Sequence, residues 1–302
     1  MTSKPLSNAG VSIPEVGLGT WEYRAGVEPL RRGLDAGALF IDTAESYGTE
    51  PVVGHAVAGI RDRVFVATKV SPEHFRFDDV LKAADASLKR LRIDRIDLYQ
   101  LHRPNDAVPV EETLAAMERL VDAGKVRFIG VSNFSVAQLE RARKAARKYP
   151  IVSNQVRYNV VDRTIEADLL KYCQASGLTV IAYSPLGRTF QSVLDCDPDG
   201  ALADMARLTG RTMAQVALNW CLCADGVVAI PKGNSTAHVV ENCGASGWRL
   251  TAEQRRLLDR RIRWRRRGRM EAFVRGVLPP PIKRAVRDIA QKLPPGLRRR
   301  FT

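Results

Sequence analysis

Four residues whose types suit proton chemistry stand at matching places along three successive short apolar runs. Leu39-Phe40-Ile41 ends at Asp42, with Tyr47 five residues on and Gly48 just behind it. Val64-Phe65-Val66-Ala67-Thr68 ends at Lys69, and Ile96 to Leu101 ends at His102. A tyrosine by itself, with a pKa of about 10, is a poor acid at neutral pH. A lysine cation beside it would stabilise the phenolate and so lower that pKa, and an aspartate would hold the lysine in place. A histidine would add a second donor to the same oxygen. Together Asp42, Tyr47, Lys69 and His102 would pass a proton to an oxygen and hold the charge that builds there. Singly, each has a plainer reading: a lysine at a strand end is a solvated rim charge, an aspartate a helix cap. Their recurrence at successive strand ends is what points to one site.

Such residues converge only if the strands run parallel and side by side. The hydrophobic pattern predicts a turn or hairpin around Gly10 to Pro14, then eight short strands. They are expected at Val16 to Gly19, Leu39 to Ile41, Val64 to Lys69, Ile96 to His102, Val126 to Val131, Ile151 to Val156, Leu178 to Tyr183 and Val227 to Ile230. Between them Val80, Leu81, Ala84, Leu88 and Leu91 recur at helical steps. Glu111-Glu112 sets acids in the first turn of the next helix, which Gly124 stops. Further helices are expected at Glu28 to Ala36, Pro51 to Gly59, Val136 to Arg147, Thr164 to Ala175, Ala201 to Leu208 and Thr212 to Cys223. Eight strand–helix units in about 240 residues fit one (β/α)8 barrel, whose active site lies at the carboxyl ends of the strands. No Gly-x-Gly-x-x-Gly follows a strand, against a Rossmann domain.

A chain of 302 residues with 45% hydrophobic content can bury a large core. Its five cysteines form no paired metal or disulfide framework, and Cys221-x-Cys223 in an apolar helical run reads as buried thiols in a reducing compartment. No metal site is expected. Nor is there a signal-like start or a long apolar run, so the expected location is cytoplasmic. The net charge of +14 is very unevenly spread. Residues 260–302 hold fifteen Lys and Arg against two Asp and Glu, leaving the body close to neutral. That distribution gives no support to nucleic-acid binding by the whole chain.

From about Leu6 to Asp259 the chain resembles the aldo-keto reductases. The resemblance rests on Gly17-Leu18-Gly19-Thr20-Trp21, Asp42-Thr43-Ala44 with Tyr47-Gly48, Ala67-Thr68-Lys69, Leu98-Tyr99-Gln100-Leu101-His102, the run from Gly124 to Phe134, Tyr183-Ser184-Pro185-Leu186 and Ile230-Pro231-Lys232. It implies reduction of aldehydes and ketones by hydride from a nicotinamide, with Asp42, Tyr47, Lys69 and His102 as the catalytic set and Tyr47 as proton donor. It also implies that Ser132, Asn133 and Gln155 hold the carboxamide and that Tyr183 stacks on the ring. The loop starting Ser184-Pro185-Leu186 would cross the pyrophosphate, with Thr20 and Trp21 also in the cofactor site. Lys232 would meet the adenosine ribose phosphate, with Glu241 and Asn242 near the adenine. Members preferring NADP often read Ile-Pro-Lys-Ser with an arginine six residues after the lysine. Here Gly233 and His238 stand at those places. Histidine is only a pH-dependent donor where arginine is a fixed fork, so NADP(H) is favoured through Lys232 while NAD(H) stays open. The rival reading is a reductase-fold regulatory subunit that binds cofactor and docks a partner; the intact set of four argues for catalysis.

The family pattern leaves the tail after residue 259 unexplained. Ile282, Ala285, Val286, Ile289 and Leu293 recur at helical spacing among cations, between Pro279-Pro280-Pro281 and Pro294-Pro295. A short basic amphipathic helix of this kind lies on an anionic membrane surface or packs its apolar face on the barrel near the mouth. The small area of a dozen-residue helix puts packing slightly ahead. Natural substrate, reaction direction and oligomeric state are not legible in these residues.

Overall fold

The computed structural model describes residues 1–265; the amphipathic helix expected in the basic tail lies outside the described residues. Met1–Trp264 forms one compact unit. It opens with an antiparallel hairpin, β1 (Ser3–Pro5) and β2 (Ser12–Pro14). Eight parallel strands follow: β3 (Leu18–Gly19), β4 (Phe40–Asp42), β5 (Phe65–Val70), β6 (Ile96–Leu101), β7 (Val126–Ser132), β8 (Ile151–Arg157), β9 (Thr179–Tyr183) and β10 (Val227–Ile230). They pair in chain order from β3 to β10. The two ends of that sheet meet across Val16 and Ala229, with Gly17 N–H donating to Ala229 O at 2.8 Å and Gly19 N–H to Pro231 O at 3.0 Å. This is the expected (β/α)8 barrel.

Its first strand is shorter than the four residues expected. Only Leu18–Gly19 pair regularly with β4, while Val16 makes an isolated bridge to the other side. The closing contacts of the barrel explain why: a Cβ on Gly19 would stand 2.5 Å from Ile230 O, so the backbones cross here without side chains between them.

Leu6 and Ile13 from the hairpin are fully buried against Phe40, Ala67, Leu98, Val152, Ile181 and Val228, the filling of the barrel. The hairpin is tied there by Ser7 N–H to Thr179 Oγ1 (2.8 Å) and by Lys4 Nζ to the carbonyls of Leu222 (2.6 Å), Ala224 (3.2 Å) and Val227 (2.8 Å). Thr179 and Val227 begin β9 and β10, so the hairpin covers the amino ends of the strands and leaves the carboxyl ends clear. A second, larger core lies between strands and helices. The helix expected over Thr164 to Ala175 breaks into a 3-10 turn, Thr164–Ala167, and an α-helix, Leu169–Ala175, because Asp168 turns out of helical geometry and caps Leu169 N–H with its own carboxylate. Helices Thr236–Cys243 and Ala252–Arg261 were not expected; each starts at a hydroxyl cap, Ser235 and Thr251.

Candidate active site

Parallel pairing sets Asp42 beside Ala67 and Lys69 beside Gln100, with His102 one residue beyond the end of β6. Tyr47 closes a short 3-10 turn, Glu45–Tyr47, over the end of β4. Lys69 Nζ donates to Asp42 Oδ1 at 2.6 Å and to Thr43 O at 2.8 Å, both acceptors buried. The ammonium lies 4.9 Å from the centre of the Tyr47 ring. Tyr47 Oη and His102 Nε2 are 3.3 Å apart, and Ser46 Oγ is 3.4 Å from His102 Nδ1. All four candidates for catalysis thus form one connected group at the carboxyl ends of the strands.

Electrostatics sharpens two of the expectations and corrects one. Burial pulls Lys69 down, but Asp42 and Tyr47 outweigh it and the ammonium is held above its usual range. His102 is driven down to about 3 by burial first, then by the Lys69 and Arg103 cations, so it is neutral at physiological pH. A net lowering of the Tyr47 pKa does not occur. Burial pushes the hydroxyl up; Lys69 pulls it down as expected, but Asp42 works against that and the balance is upward.

A cavity of about 750 Å³ opens over this group. Asp42, Tyr47 and His102 line it, while Lys69 is fully buried beneath. Every residue expected around the cofactor reaches the same cavity: Thr20 and Trp21 at one side, Ser132, Asn133 and Gln155 at the ends of β7 and β8, then Tyr183, Ser184 and Leu186, and finally Lys232, His238, Glu241 and Asn242. Asn133 (φ 63°) and Ser184 (φ 47°) adopt left-handed backbone without being glycine, and both line the cavity. Such strain persists where neighbours hold it in place. Asn133 donates to His102 O (3.2 Å) and Ser132 Oγ (2.9 Å) and accepts from Tyr183 Oη (3.0 Å), and Ser132 Oγ donates to Gln155 O (2.9 Å). Lys232 and His238 are exposed at the far end, where Lys232 Nζ donates to Glu22 O at 3.3 Å. Among the described residues no group of three His, Cys, Asp or Glu could hold a metal ion.

The sequence reading missed several lining residues. Arg157 ends β8, two positions after Gln155 and therefore on the same face of the strand; that spacing was the available signal. Arg188, Thr189 and Phe190 extend the loop after β9, where no local pattern marks them. Gln100, fully buried in β6 two residues before His102, does not line the cavity but bonds to Asp42 behind it, a place no local pattern marks.

Residues 15–262 match the model of the aldo/keto reductase family. The chain belongs to that family. This reductase is 37% identical over 271 residues to the methylglyoxal reductase YeaE of Escherichia coli (strain K12), covering 86% of the present chain and 95% of the relative. It is 34% identical over 256 residues to the glyoxal reductase of Bacillus subtilis (strain 168), covering 83% and 89%. A crystal structure of an aldo-keto reductase from Klebsiella pneumoniae in complex with NADPH superposes with a TM-score of 0.82 at 38% identity, covering 88% of the present chain and 98% of that one. Among the described residues of the reductase no helix is long and apolar enough to cross a membrane.

Proposed function

We propose that this reductase uses NADPH to reduce small aldehydes and ketones to alcohols, with Tyr47 as the proton donor. The observation that carries this is the connected Asp42–Lys69–Tyr47–His102 group lying at the base of a cavity large enough for a cofactor. Hydride transfer is chemistry that the nicotinamide supplies when bound; the protein positions and polarises. The upward shift of Tyr47 keeps it protonated until an alkoxide, far more basic than a phenolate, takes the proton. Lys69 then faces the phenolate that remains, held in place by Asp42. Neutral His102 orients the same oxygen. Ser132, Asn133 and Gln155 would hold the carboxamide, Tyr183 would lie against the ring, and Lys232, with His238 lining the same cavity, would favour NADP(H) over NAD(H). The names of the E. coli and B. subtilis relatives support small 2-oxoaldehydes as the substrate class. A cytoplasmic location belongs to the same proposal, supported by five free cysteines.

The test is an absorbance assay of NADPH and NADH consumption with methylglyoxal, glyoxal and a panel of simple aldehydes. NADPH turnover is expected, and Tyr47→Phe should lower it by roughly 10²–10⁴-fold while leaving cofactor affinity nearly unchanged. Cofactor binding without turnover of any aldehyde would favour the docking-subunit reading instead, and full turnover in Tyr47→Phe would remove Tyr47 from the mechanism.

For the basic tail we propose reversible attachment to anionic lipid as an alternative, second to the packing reading, at roughly 1 kcal/mol per cation near the surface. On that alternative, sedimentation with anionic liposomes at low salt should pull down the full chain and spare a chain ending at Arg263. Recovery of both in the supernatant would end this reading.

A further inference from the structure

Asp42 has two carboxylate oxygens, and only one faces Lys69. The other, Oδ2, accepts from two buried side-chain amides: Gln155 Nε2 at 2.7 Å and Gln100 Nε2 at 3.2 Å. Gln100 in turn presents its Oε1 to Gln155 Nε2 at 3.5 Å. A carboxylate accepts only, so both amides must turn nitrogen toward it. Were Gln155 reversed, its oxygen would confront the Asp42 carboxylate and the Gln100 carbonyl at once. Either clash disfavours the flip; together they forbid it. The Gln155 oxygen is therefore left to the cavity that the side chain lines.

The space for this arrangement is built into the next strand. Gly130 is the β7 residue beside Gln100, and a Cβ there would stand 3.0 Å from Gln100 Cγ and 2.7 Å from Ser153 Oγ. Gln100 itself is fully buried and touches neither cavity nor solvent. Among the described residues its amide bonds to Asp42 and Gln155.

We infer that Gln100 is a positioning residue that, together with Asp42, fixes which way round the Gln155 amide faces the cofactor, so that the site demands a hydrogen-bond donor from the group on the nicotinamide ring. The inference rests on the reading that Gln155 meets that group. A carboxamide meets the demand with its NH2; an acetyl group, which keeps the carbonyl but lacks the donor, leaves the Gln155 oxygen unpaired. Sites built around a buried polar partner discriminate strongly against analogues that lack the matching group.

The experiment measures Kd by tryptophan fluorescence for NADPH and for its 3-acetylpyridine analogue, using the full chain as wild type, Gln100→Met and Gln155→Leu. Wild type should prefer NADPH by roughly tenfold or more, the effect of one unpaired buried acceptor. Gln100→Met removes one of the two groups that oppose the flip, with Asp42 still in place, and the preference should fall several-fold; Gln100→Leu is a second variant should the first not fold. A purely structural role for Gln100 would weaken both cofactors alike, and an unchanged ratio overturns the inference. So does a wild type that binds the two equally. If Gln155→Leu keeps the full wild-type preference, Gln155 does not read the ring substituent, and it is the proposed carboxamide contact that fails.

Discussion

His102 must share one proton between two ring nitrogens, because its surroundings never let it hold two at ordinary pH. Burial, Lys69 and Arg103 bring its pKa to about 3, against 6.5 for an unperturbed histidine. The sign of the consequence follows directly. Below about pH 6.5 the unfolded chain takes up a proton that the folded chain refuses, so acid favours unfolding down to about pH 3. The slope contributed by this residue approaches roughly 1.4 kcal/mol per pH unit. His102→Gln should accordingly lose less stability than wild type between pH 6.5 and 4 in urea titrations; identical losses would mean that folded His102 does take up the proton. Of this site, the residues that end strands were legible because each breaks an apolar run with a charge or a ring. Gln100 was not, since a single glutamine inside a strand has the same appearance whether it faces helix or barrel axis. The direction of the Tyr47 shift was also hidden: a sequence shows that a cation is near, but not how much water has been removed.

At the scale of elements, helix Glu50–Val57 follows directly on Tyr47 and steadies the loop that carries it. Thr49 anchors its start, sharing hydroxyl contacts with Thr20 (2.9 Å) and Thr43 (2.8 Å), and buried Glu50 binds Thr68 (2.6 Å) and Arg90 (2.6 Å). Gly54 sits mid-helix against the end of helix Phe77–Leu91. In an open helix, Gly→Ala gains about 1 kcal/mol. Here the added Cβ would run into the carbonyl of Leu91, a backbone atom that cannot step aside cheaply. Gly54→Ala is therefore expected to destabilise by about 1–3 kcal/mol, seen as a lower urea midpoint at unchanged slope; a raised midpoint would refute the contact. The same comparison shows which elements a sequence displays. Helix Phe77–Leu91 buries Val80, Ala83, Ala84, Ser87 and Leu91 along one face and was plain from its spacing. Helix Ala252–Arg261 buries only Leu258, so its apolar period is absent and just the Thr251–Gln254 capping box announces it.

For the whole molecule the eight-strand count was readable from the alternation of apolar runs and helices, whereas barrel closure was not. It depends on glycines and an isolated bridge between residues more than 200 positions apart, and on Glu15, fully buried and paired with Arg249 from the other end of the compact unit. Non-local contacts of this kind leave no periodic trace. The hairpin at the amino end has a further effect on how the enzyme works over time. With Leu6 and Ile13 filling the base, the cavity is a cul-de-sac, and cofactor and carbonyl share its mouth. With the cofactor held as proposed, the carbonyl would lie over a nicotinamide seated against Tyr183, so the molecule that enters first would be the last to leave. Turnover would then run as a queue: cofactor in, carbonyl in, alcohol out, oxidised cofactor out.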